Sequence, residues 1–346
     1  MTSAQDPTFD LPDQPRGVPW PTREWPEGEP RASGDAMARV EELFGDTGRL
    51  GRTDALLVVQ EGRLVLERYG EGVTGHTTQP SWSMAKSLLH AMVGLAGMDG
   101  ELDRPIGDPR WAGSRDPRAA ITLDHLLRMV SGLEWVEEYV PGQTSDVIDM
   151  LFGPGAGDVA AFAASKPLVD QPGEVWAYSS GTSNIVASAL ARRLGVDGDR
   201  DGYLRELHRR LFDPLGMSSA IPKFDDHGTW IGSSYCFATP RDFARFGLLY
   251  LRDGVWEDRR LLPEGWVDHA RRPTGPSVGV DDLDYGAHFW LNGDRFGSFS
   301  ARGFMGQSIR MVPALDLVVV RSGATDETQK ESLTAALDAL VSEFAP

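Results

Sequence analysis

The sequence predicts an α+β protein, in which an antiparallel sheet flanked by helices lies beside a mainly helical lobe. Three observations indicate this class. Two apolar runs over residues 55–69 are separated by Glu61-Gly62-Arg63, a pattern typical of a β-hairpin. Residues 101–230 carry mainly helical periodicity, and strand patterns return over residues 285–321 before a closing amphipathic helix. The two ends of the chain are therefore expected to share one sheet, with a cleft between it and the helical lobe.

Periodicity and turn residues also predict the boundaries of domains and elements. The Pro- and Trp-rich residues 1–32 predict an extended N-terminal arm. Residues 33–346 are expected to form one unit, with an α/β lobe made of 33–100 and 231–346 and a helical lobe made of 101–230. Helices are expected over 35–44, 83–95, 122–129, 158–164, 182–194, 203–211, 240–251 and 327–344, and strands over 285–291, 307–312 and 315–321.

The composition narrows the classes of function. The chain has 346 residues, of which 41% are hydrophobic, enough for a large buried core. Its net charge of −17 disfavours nucleic acids and anionic membranes as partners. The single cysteine, Cys236, permits no internal disulfide. Residues 1–13 carry acids and no apolar segment, unlike a signal peptide, so we expect a cytoplasmic protein.

The most informative motif is Ser83-Met84-Ala85-Lys86, which begins a long apolar run. The chain has only four lysines, and the other residues in its Lys+Arg total of 34 are arginine. Lysine can reach its neutral form and act as a base, whereas arginine stays protonated. Serine one helical turn before lysine places hydroxyl and amine on the same helix face. The pattern matches the Ser-x-x-Lys nucleophile motif of penicillin-recognising enzymes.

A structural alternative is that Ser83 only caps a helix and that Lys86 is solvated. However, a cation is unfavourable in the first turn of a helix, where the helix dipole is positive. Leu88, Leu89 and Met92 recur at helical spacing, so the helix is expected to be buried. An ionisable group at a buried position is costly unless it is paired or used, and this favours the catalytic interpretation.

Two further segments carry candidate site residues. Tyr178-Ser179-Ser180 precedes an apolar helix, and a tyrosine near an ammonium can transfer protons. The alternative is a packed tyrosine, with a helix cap at Ser180 or Thr182. Gly303-Phe304-Met305-Gly306-Gln307 opens a strand, and its glycines would let the backbone approach an oxyanion; the alternative is a β-bulge. The sequence has no His-Glu-x-x-His, Cys-x-x-Cys or Gly-x-Ser-x-Gly motif, so we expect no metal and no cofactor.

Together these motifs resemble the serine β-lactamase-like superfamily, in particular its branch of class C β-lactamases, carboxylesterases and nylon-oligomer (aminohexanoate-dimer) hydrolases. The resemblance implies a serine β-lactamase-like fold with the active site in the cleft. The matching pieces follow one another across most of the chain: 83–87, 121–127 with 131–133, 171–174 with 178–180, 211–217, 238–247, Tyr285-Gly286 with Trp290, and 303–307.

The resemblance also implies roles for individual residues. Ser83 is then the nucleophile that forms an acyl-enzyme, Lys86 assists its deprotonation, and Tyr178 passes the proton to the leaving group. The backbone N–H of Ser83 and one from residues 304–307, with Phe304 and Gln307 as the candidates, would form the oxyanion hole.

As a base, Lys86 must be neutral in the free enzyme, which requires a pKa well below the ordinary value of about 10.4. Three causes are expected to lower the pKa: the helix dipole, burial, and a hydrogen bond to Tyr178. We place no histidine in the site. If Lys86 proves dispensable, His125 and His288 are the first alternatives.

Two departures from the family pattern bear on the substrate. The family's Tyr-x-Asn motif appears as Tyr178-Ser179-Ser180, without the amide. Its Lys-Thr-Gly motif appears as Phe304-Met305-Gly306, without the cation that would meet a β-lactam carboxylate. Ser180, Met305, Gly306 and Trp290 are expected to contact the substrate, although Trp290 is equally consistent with the core.

The favoured hypothesis is a serine hydrolase of small carboxylic esters that extends to linear amides of the aminohexanoate-oligomer type. A β-lactamase or D,D-peptidase is one alternative. A non-catalytic binding protein on the same scaffold is another, although it would not need Ser83, Lys86 and Tyr178 together. The expected partner is a small ester or amide, without nucleic acid or membrane, and a homodimer is left open.

Overall fold

The computed structural model describes residues 9–113, 115–138, 142, 144–275 and 283–346. The strands are β1 (Arg52–Gln60), β2 (Arg63–Tyr69), β3 (Gln79–Pro80), β4 (Ile221–Pro222), β5 (Cys236–Ala238), β6 (Val255–Trp256), β7 (Arg259–Arg260), β8 (Asp284–Tyr285), β9 (Trp290–Leu291), β10 (Phe299–Gly303), β11 (Gln307–Val312) and β12 (Leu317–Ala324). The helices are α1 (Ala36–Gly45), α2 (Thr47–Leu50), α3 (Met84–Leu95), α4 (Leu123–Leu127), α5 (Asp146–Phe152), α6 (Val159–Ala164), α7 (Ser180–Leu194), α8 (Arg200–Leu207), α9 (Asp213–Leu215), α10 (Pro240–Leu251), α11 (Trp266–Arg271) and α12 (Lys330–Ser342).

The main sheet is antiparallel, with the strand order β2–β1–β12–β11–β10–β9–β8. It therefore joins the early hairpin to the late strands of the chain, and the predicted α+β class is confirmed. Successive residues of β1 point to opposite faces. Leu57 and Val59 lie in the large core with α3 and α10, whereas Leu56 and Val58 lie in a smaller core with α1 and α12.

Helix α3 positions the Ser83 motif. Its residues from Met84 to Gly94 are all buried, and it contacts α7, β10 and β11. A helix that is buried on all sides must lie between other elements. Strand β3, just before it, pairs with β5 and so ties the segment that leads into Ser83 to the region before α10.

Several elements lie where the sequence predicts them. The β1–β2 hairpin forms, and α10 and β11 have the predicted bounds. The predicted strand over residues 285–291 is wrong, because the chain bends between β8 and β9. A Cβ at Gly286 would lie 1.9 Å from the carbonyl oxygen of Ala270, and His288 has a φ of +57°. The positive φ of His288 is incompatible with a regular strand.

The predicted helix over residues 203–211 is also only partly right, because α8 passes into a π-helical turn over His208–Phe212. Residues 9–32 lie along the body of the protein. Trp25 is buried, and Arg245 donates to the carbonyl oxygen of Pro21 over 2.7 Å. The division into an arm and two lobes stays a prediction, and residues 1–8 lie outside the described part. No helix within the described ranges combines the length and the apolar character that crossing a membrane would require.

Candidate active site

Ser83 lies immediately before the first turn of α3. Its side chain makes no capping hydrogen bond to the helix. Instead, Nζ of Lys86, one turn further on, donates to Oγ of Ser83 over 3.1 Å. The alternative interpretation, a serine cap beside a solvated lysine, is therefore wrong. The hydroxyl and the amine share one helix face, as their spacing predicts.

Lys86 is enclosed, with only 1% of its surface exposed. Besides Ser83, its ammonium donates to Oγ of Ser180 over 3.0 Å and to the carbonyl oxygen of Ser233 over 2.9 Å. Burial lowers the pKa of Lys86 to about 8, against the attraction of the Glu137 carboxylate, which acts to raise it. A pKa of about 8 makes the neutral amine readily available near physiological pH, as a general base requires.

The predicted hydrogen bond between Lys86 and Tyr178 is wrong. The three hydrogens of the ammonium are directed to Ser83, Ser180 and Ser233. Tyr178 instead presents its ring face, with the ring centre 4.8 Å from Nζ of Lys86. The lowered pKa of Lys86 is thus due to burial, and the ring of Tyr178 faces the amine without a hydrogen bond to it.

Tyr178 lies in an aromatic cluster that forms one wall of the site. The ring of Trp290 stacks on it with the ring centres 5.5 Å apart, and the rings of Trp176 and Tyr285 lie 6.2 Å and 6.0 Å away. Trp290 lines the cleft that contains Ser83. This placement favours the interpretation of Trp290 as a wall of the substrate cleft over its interpretation as a core residue.

The N-terminus of α7 supplies the next contact. Ser179 caps this helix by accepting the N–H of Thr182 over 3.0 Å. The caps named in the alternative interpretation, Ser180 and Thr182, are therefore wrong. The observed cap lies one residue before Ser180. Because Ser179 satisfies the helix end, the hydroxyl of Ser180 is available to Lys86. Side chains from α3 and α7 thus meet across the interface of the two helices.

Sequence reasoning missed Glu137. Its carboxylate accepts the backbone N–H of Ser180 over 2.8 Å, the hydroxyl of Ser180 and the indole N–H of Trp135. The acidic pair Glu137-Glu138 follows the predicted motif at residues 131–133, and this proximity was the available clue. An acidic pair in a loop is ordinarily solvated, so this proximity alone did not distinguish Glu137 as a site residue.

The predicted oxyanion segment forms the turn between β10 and β11. Phe304–Gly306 is a 3₁₀ turn in which Met305 has a φ of +60°, so the alternative of a β-bulge is wrong. The buried Arg321 donates to the carbonyl oxygens of Met305 and Gly306 over 3.0 Å and 3.1 Å, which holds the turn in place. The side chain of Gln307 points to β12, where it bonds to Gly323.

Gly303 brings this hairpin against the segment that precedes Ser83. A Cβ there would lie 2.4 Å from the carbonyl oxygen of Ser81 and 3.1 Å from Cβ of Trp82. We expect Gly303→Ala to push β10 away from the nucleophile. It should lower kcat/KM for an ester by about 10²-fold, since a small misplacement of catalytic groups is costly to catalysis. Steady-state ester hydrolysis measures this effect.

Gly34→Ala is the matched control for Gly303→Ala, because a Cβ at Gly34 meets nothing within 4 Å. It should leave kcat/KM within twofold of the unsubstituted protein. Equal activity in both variants would contradict the close approach of β10 to the nucleophile segment. A thermal unfolding curve for each variant separates a local displacement from loss of the fold.

The cleft has a volume of about 510 Å³. It extends from Ser83 past the 304–306 turn to α12, and its walls come from both the sheet and the loops of the helical segment. The lining residues that belong to the proposed site are Ser83, Glu137, Tyr178, Trp290, Phe304, Met305, Gly306 and Gln307. Arg302 and Lys330 line it too. The loss of the Lys-Thr-Gly cation therefore does not leave the cleft without positive charge.

The two alternative histidines have other roles. Nδ1–H of His288 donates to the backbone oxygen of Lys86 over 3.0 Å, and Nε2 of the neutral ring then accepts the hydroxyl of Ser183 over 3.1 Å. Burial, with the nearby charge of Lys86, lowers the pKa of His288 to about 3. His125 accepts the backbone N–H of Thr122 and helps cap α4. In the described part of the chain neither histidine lines the cleft.

Comparison with known families agrees with this geometry. Residues 37–343 match the family model described as Beta-lactamase. The protein belongs to this family of serine β-lactamase-like hydrolases, and the resemblance inferred from its motifs is confirmed.

One relative and two solved structures show which members of the family the protein is similar to. The 6-aminohexanoate-dimer hydrolase of Paenarthrobacter ureafaciens is 25% identical over 289 residues, which cover 78% of this chain and 72% of the relative. Among solved structures, a Bacillus anthracis protein named as a candidate 6-aminohexanoate-dimer hydrolase has a TM-score of 0.75 at 20% identity, over 96% of this chain and 89% of that one. A β-lactamase of Mycobacterium bovis has a TM-score of 0.63 at 19% identity, over 89% and 100%. At these identities the structural matches confirm the fold.

Proposed function

We propose that the protein is a serine hydrolase that cleaves small carboxylic esters and linear amides through an acyl-enzyme on Ser83. The observation that carries the proposal is the hydrogen bond of 3.1 Å between Ser83 and an enclosed Lys86. An amine whose pKa burial lowers to about 8 can take the proton of the serine hydroxyl. A binding protein does not require an enclosed ionisable amine beside a hydroxyl, so this pair favours a hydrolase.

The proposed reaction has two halves. Oγ of Ser83 attacks the carbonyl carbon while its proton moves to Nζ of Lys86, and the carbonyl oxygen becomes an oxyanion beside the N-terminus of α3 and the 304–307 turn. The bond from the carbonyl carbon to the leaving alcohol or amine then breaks as that group takes up the proton held by Lys86, which leaves the acyl group on Ser83. Water then attacks the acyl carbon and gives a proton to Lys86. The bond from that carbon to Oγ of Ser83 breaks, Lys86 returns the proton to Oγ, and the acid leaves.

The lining of the cleft supports a substrate with methylene groups. Besides Ser83, the lining includes Met305 and, on α12, Leu333 and Leu337. A linear chain with several methylene groups would bury apolar surface against these side chains. The relative from Paenarthrobacter ureafaciens is named for hydrolysis of the 6-aminohexanoate dimer, which is a linear amide. We therefore place this amide beside short-chain esters as the substrates to test.

A panel of three substrates tests the proposal. We expect turnover of p-nitrophenyl butyrate, followed by absorbance, and slower cleavage of the 6-aminohexanoate dimer, followed by liquid chromatography over a long incubation. Nitrocefin should be turned over far more slowly than the ester. A fluorophosphonate probe should form an adduct on Ser83, identified by mass spectrometry. Absence of both turnover and adduct would overturn the proposal in favour of a binding protein.

A β-lactamase or D,D-peptidase is the second candidate because Arg302 lines the same cleft. Its guanidinium donates to the amide oxygen of Asn292 over 2.8 Å, and a cation in the cleft is the kind of group that would bind a β-lactam carboxylate. Nitrocefin turnover comparable with ester turnover would favour this function. It would leave the roles of Ser83 and Lys86 unchanged, because both functions proceed through an acyl-enzyme.

A further inference from the structure

Glu137 accepts the hydrogen bonds that determine how the hydroxyl of Ser180, a partner of Lys86, is oriented. The indole N–H of Trp135 and the backbone N–H of Ser180 can only donate, and both are directed to the Glu137 carboxylate. A carboxylate can only accept, so the hydroxyl hydrogen of Ser180 also points to Glu137. Oγ of Ser180 is left as an acceptor on its other side, where Nζ of Lys86 lies 3.0 Å away.

A second acceptor faces the same amine. Nζ of Lys86 lies 2.9 Å from the carbonyl oxygen of Ser233, which has no hydrogen to give. Asn184 holds this loop by accepting the N–H of Ser233 over 3.2 Å and donating to its hydroxyl over 3.1 Å. When Lys86 is neutral, its two hydrogens are therefore directed to Ser180 and Ser233. Its lone pair then faces the third partner, the hydroxyl of Ser83.

We propose that Glu137 is a positioning residue that orients the hydroxyl of Ser180 and thereby points the lone pair of Lys86 at Ser83. This inference rests on the proposed function, since it describes how the same base is aimed. The carboxylate has a second effect, because its negative charge favours the ammonium form of Lys86 and opposes the effect of burial on the pKa. Glu137 thus directs the base, and its charge raises the pH at which the base works, against the larger effect of burial.

The test replaces Glu137 with glutamine. An amide at this position can donate to Oγ of Ser180 and turn the hydroxyl hydrogen towards Lys86, so the lone pair of Lys86 is drawn away from Ser83. We expect the plateau rate to fall between about tenfold and a hundredfold, within the contribution of a positioned base. Loss of the charge should also move the midpoint of the rising pH limb to lower pH by about one unit.

The readouts are ester hydrolysis and the rate of fluorophosphonate labelling of Ser83, each measured from pH 5 to 10. Glu137→Asp keeps the charge but withdraws it from Ser180, so its rate should fall while its midpoint stays near that of the unsubstituted protein. Glu134→Gln is the control, because Glu134 lies exposed in the same loop and outside the cleft lining. It should change neither rate nor midpoint.

Each outcome bears on one claim. The inference is overturned if Glu137→Gln lowers the plateau rate without shifting the midpoint of the pH limb. It is also overturned if neither the rate nor the midpoint changes. In both cases Glu137 only supports the loop. If Glu137→Gln does not fold, a Glu137→Asp variant with unchanged rate overturns it equally. If the unsubstituted protein itself is not labelled on Ser83, the proposed function fails first, and that failure is distinguishable from the others.

Discussion

Replacing Ser83 with alanine is expected to lower kcat/KM for p-nitrophenyl butyrate by about three to six orders of magnitude, as loss of the nucleophile does in enzymes whose catalytic groups act as a unit. The variant should fold, because the hydroxyl of Ser83 makes no capping bond to α3. Within the described residues, its hydroxyl is hydrogen-bonded to Lys86 alone. Discontinuous assays at high enzyme concentration measure the residual kcat/KM, and a thermal unfolding curve shows whether the variant folds.

Ser87→Ala is the matched control for the nucleophile. Ser87 lies on the same helix one turn further on, and its hydroxyl donates to the backbone oxygen of His288 over 2.7 Å rather than into the cleft. We expect this variant to keep activity within a few-fold and to lose some stability. Turnover retained in Ser83→Ala would refute an acyl-enzyme on that residue, whatever the control does.

The parts of the site that the sequence predicted are local ones. Ser83 and Lys86 are three residues apart on one helix, so helix geometry alone brings their side chains together. The β1–β2 hairpin and α10 are local too, since turn residues and a helix-starting proline mark their ends. In such cases spacing along the chain determines spacing in the molecule.

The parts that the sequence did not predict depend on contacts between distant segments. Glu137 meets Ser180 across 43 residues, and no periodicity connects a loop carboxylate to a helix start. The helix cap is Ser179 rather than Ser180, and in a run of serines the propensity for capping does not distinguish neighbours. The face contact of Tyr178 with Lys86 follows from how α7 packs against α3.

Replacing Lys86 with arginine is expected to reduce ester turnover by at least about 10³-fold, although the positive charge is kept. A guanidinium stays protonated at every pH at which the protein is folded, so it cannot take the proton of Ser83. It is also longer than the amine, in a site with 1% exposure and three defined acceptors. Lys223→Arg, at an exposed position outside the cleft, should leave the activity unchanged.

The direction in which activity changes with pH also tests whether Lys86 is the base. Below its pKa of about 8, Lys86 is an ammonium and has no lone pair for the proton of Ser83; above it, the neutral amine prevails. Activity should therefore rise with increasing pH through a midpoint near 8, and a fall over that range would contradict Lys86 as the base. His288 cannot supply this limb, because its pKa is lowered to about 3 and it is neutral throughout. If Lys86→Arg kept most of the turnover and the same limb, the proton would have to leave Ser83 by another route, and Tyr178 would become the candidate base.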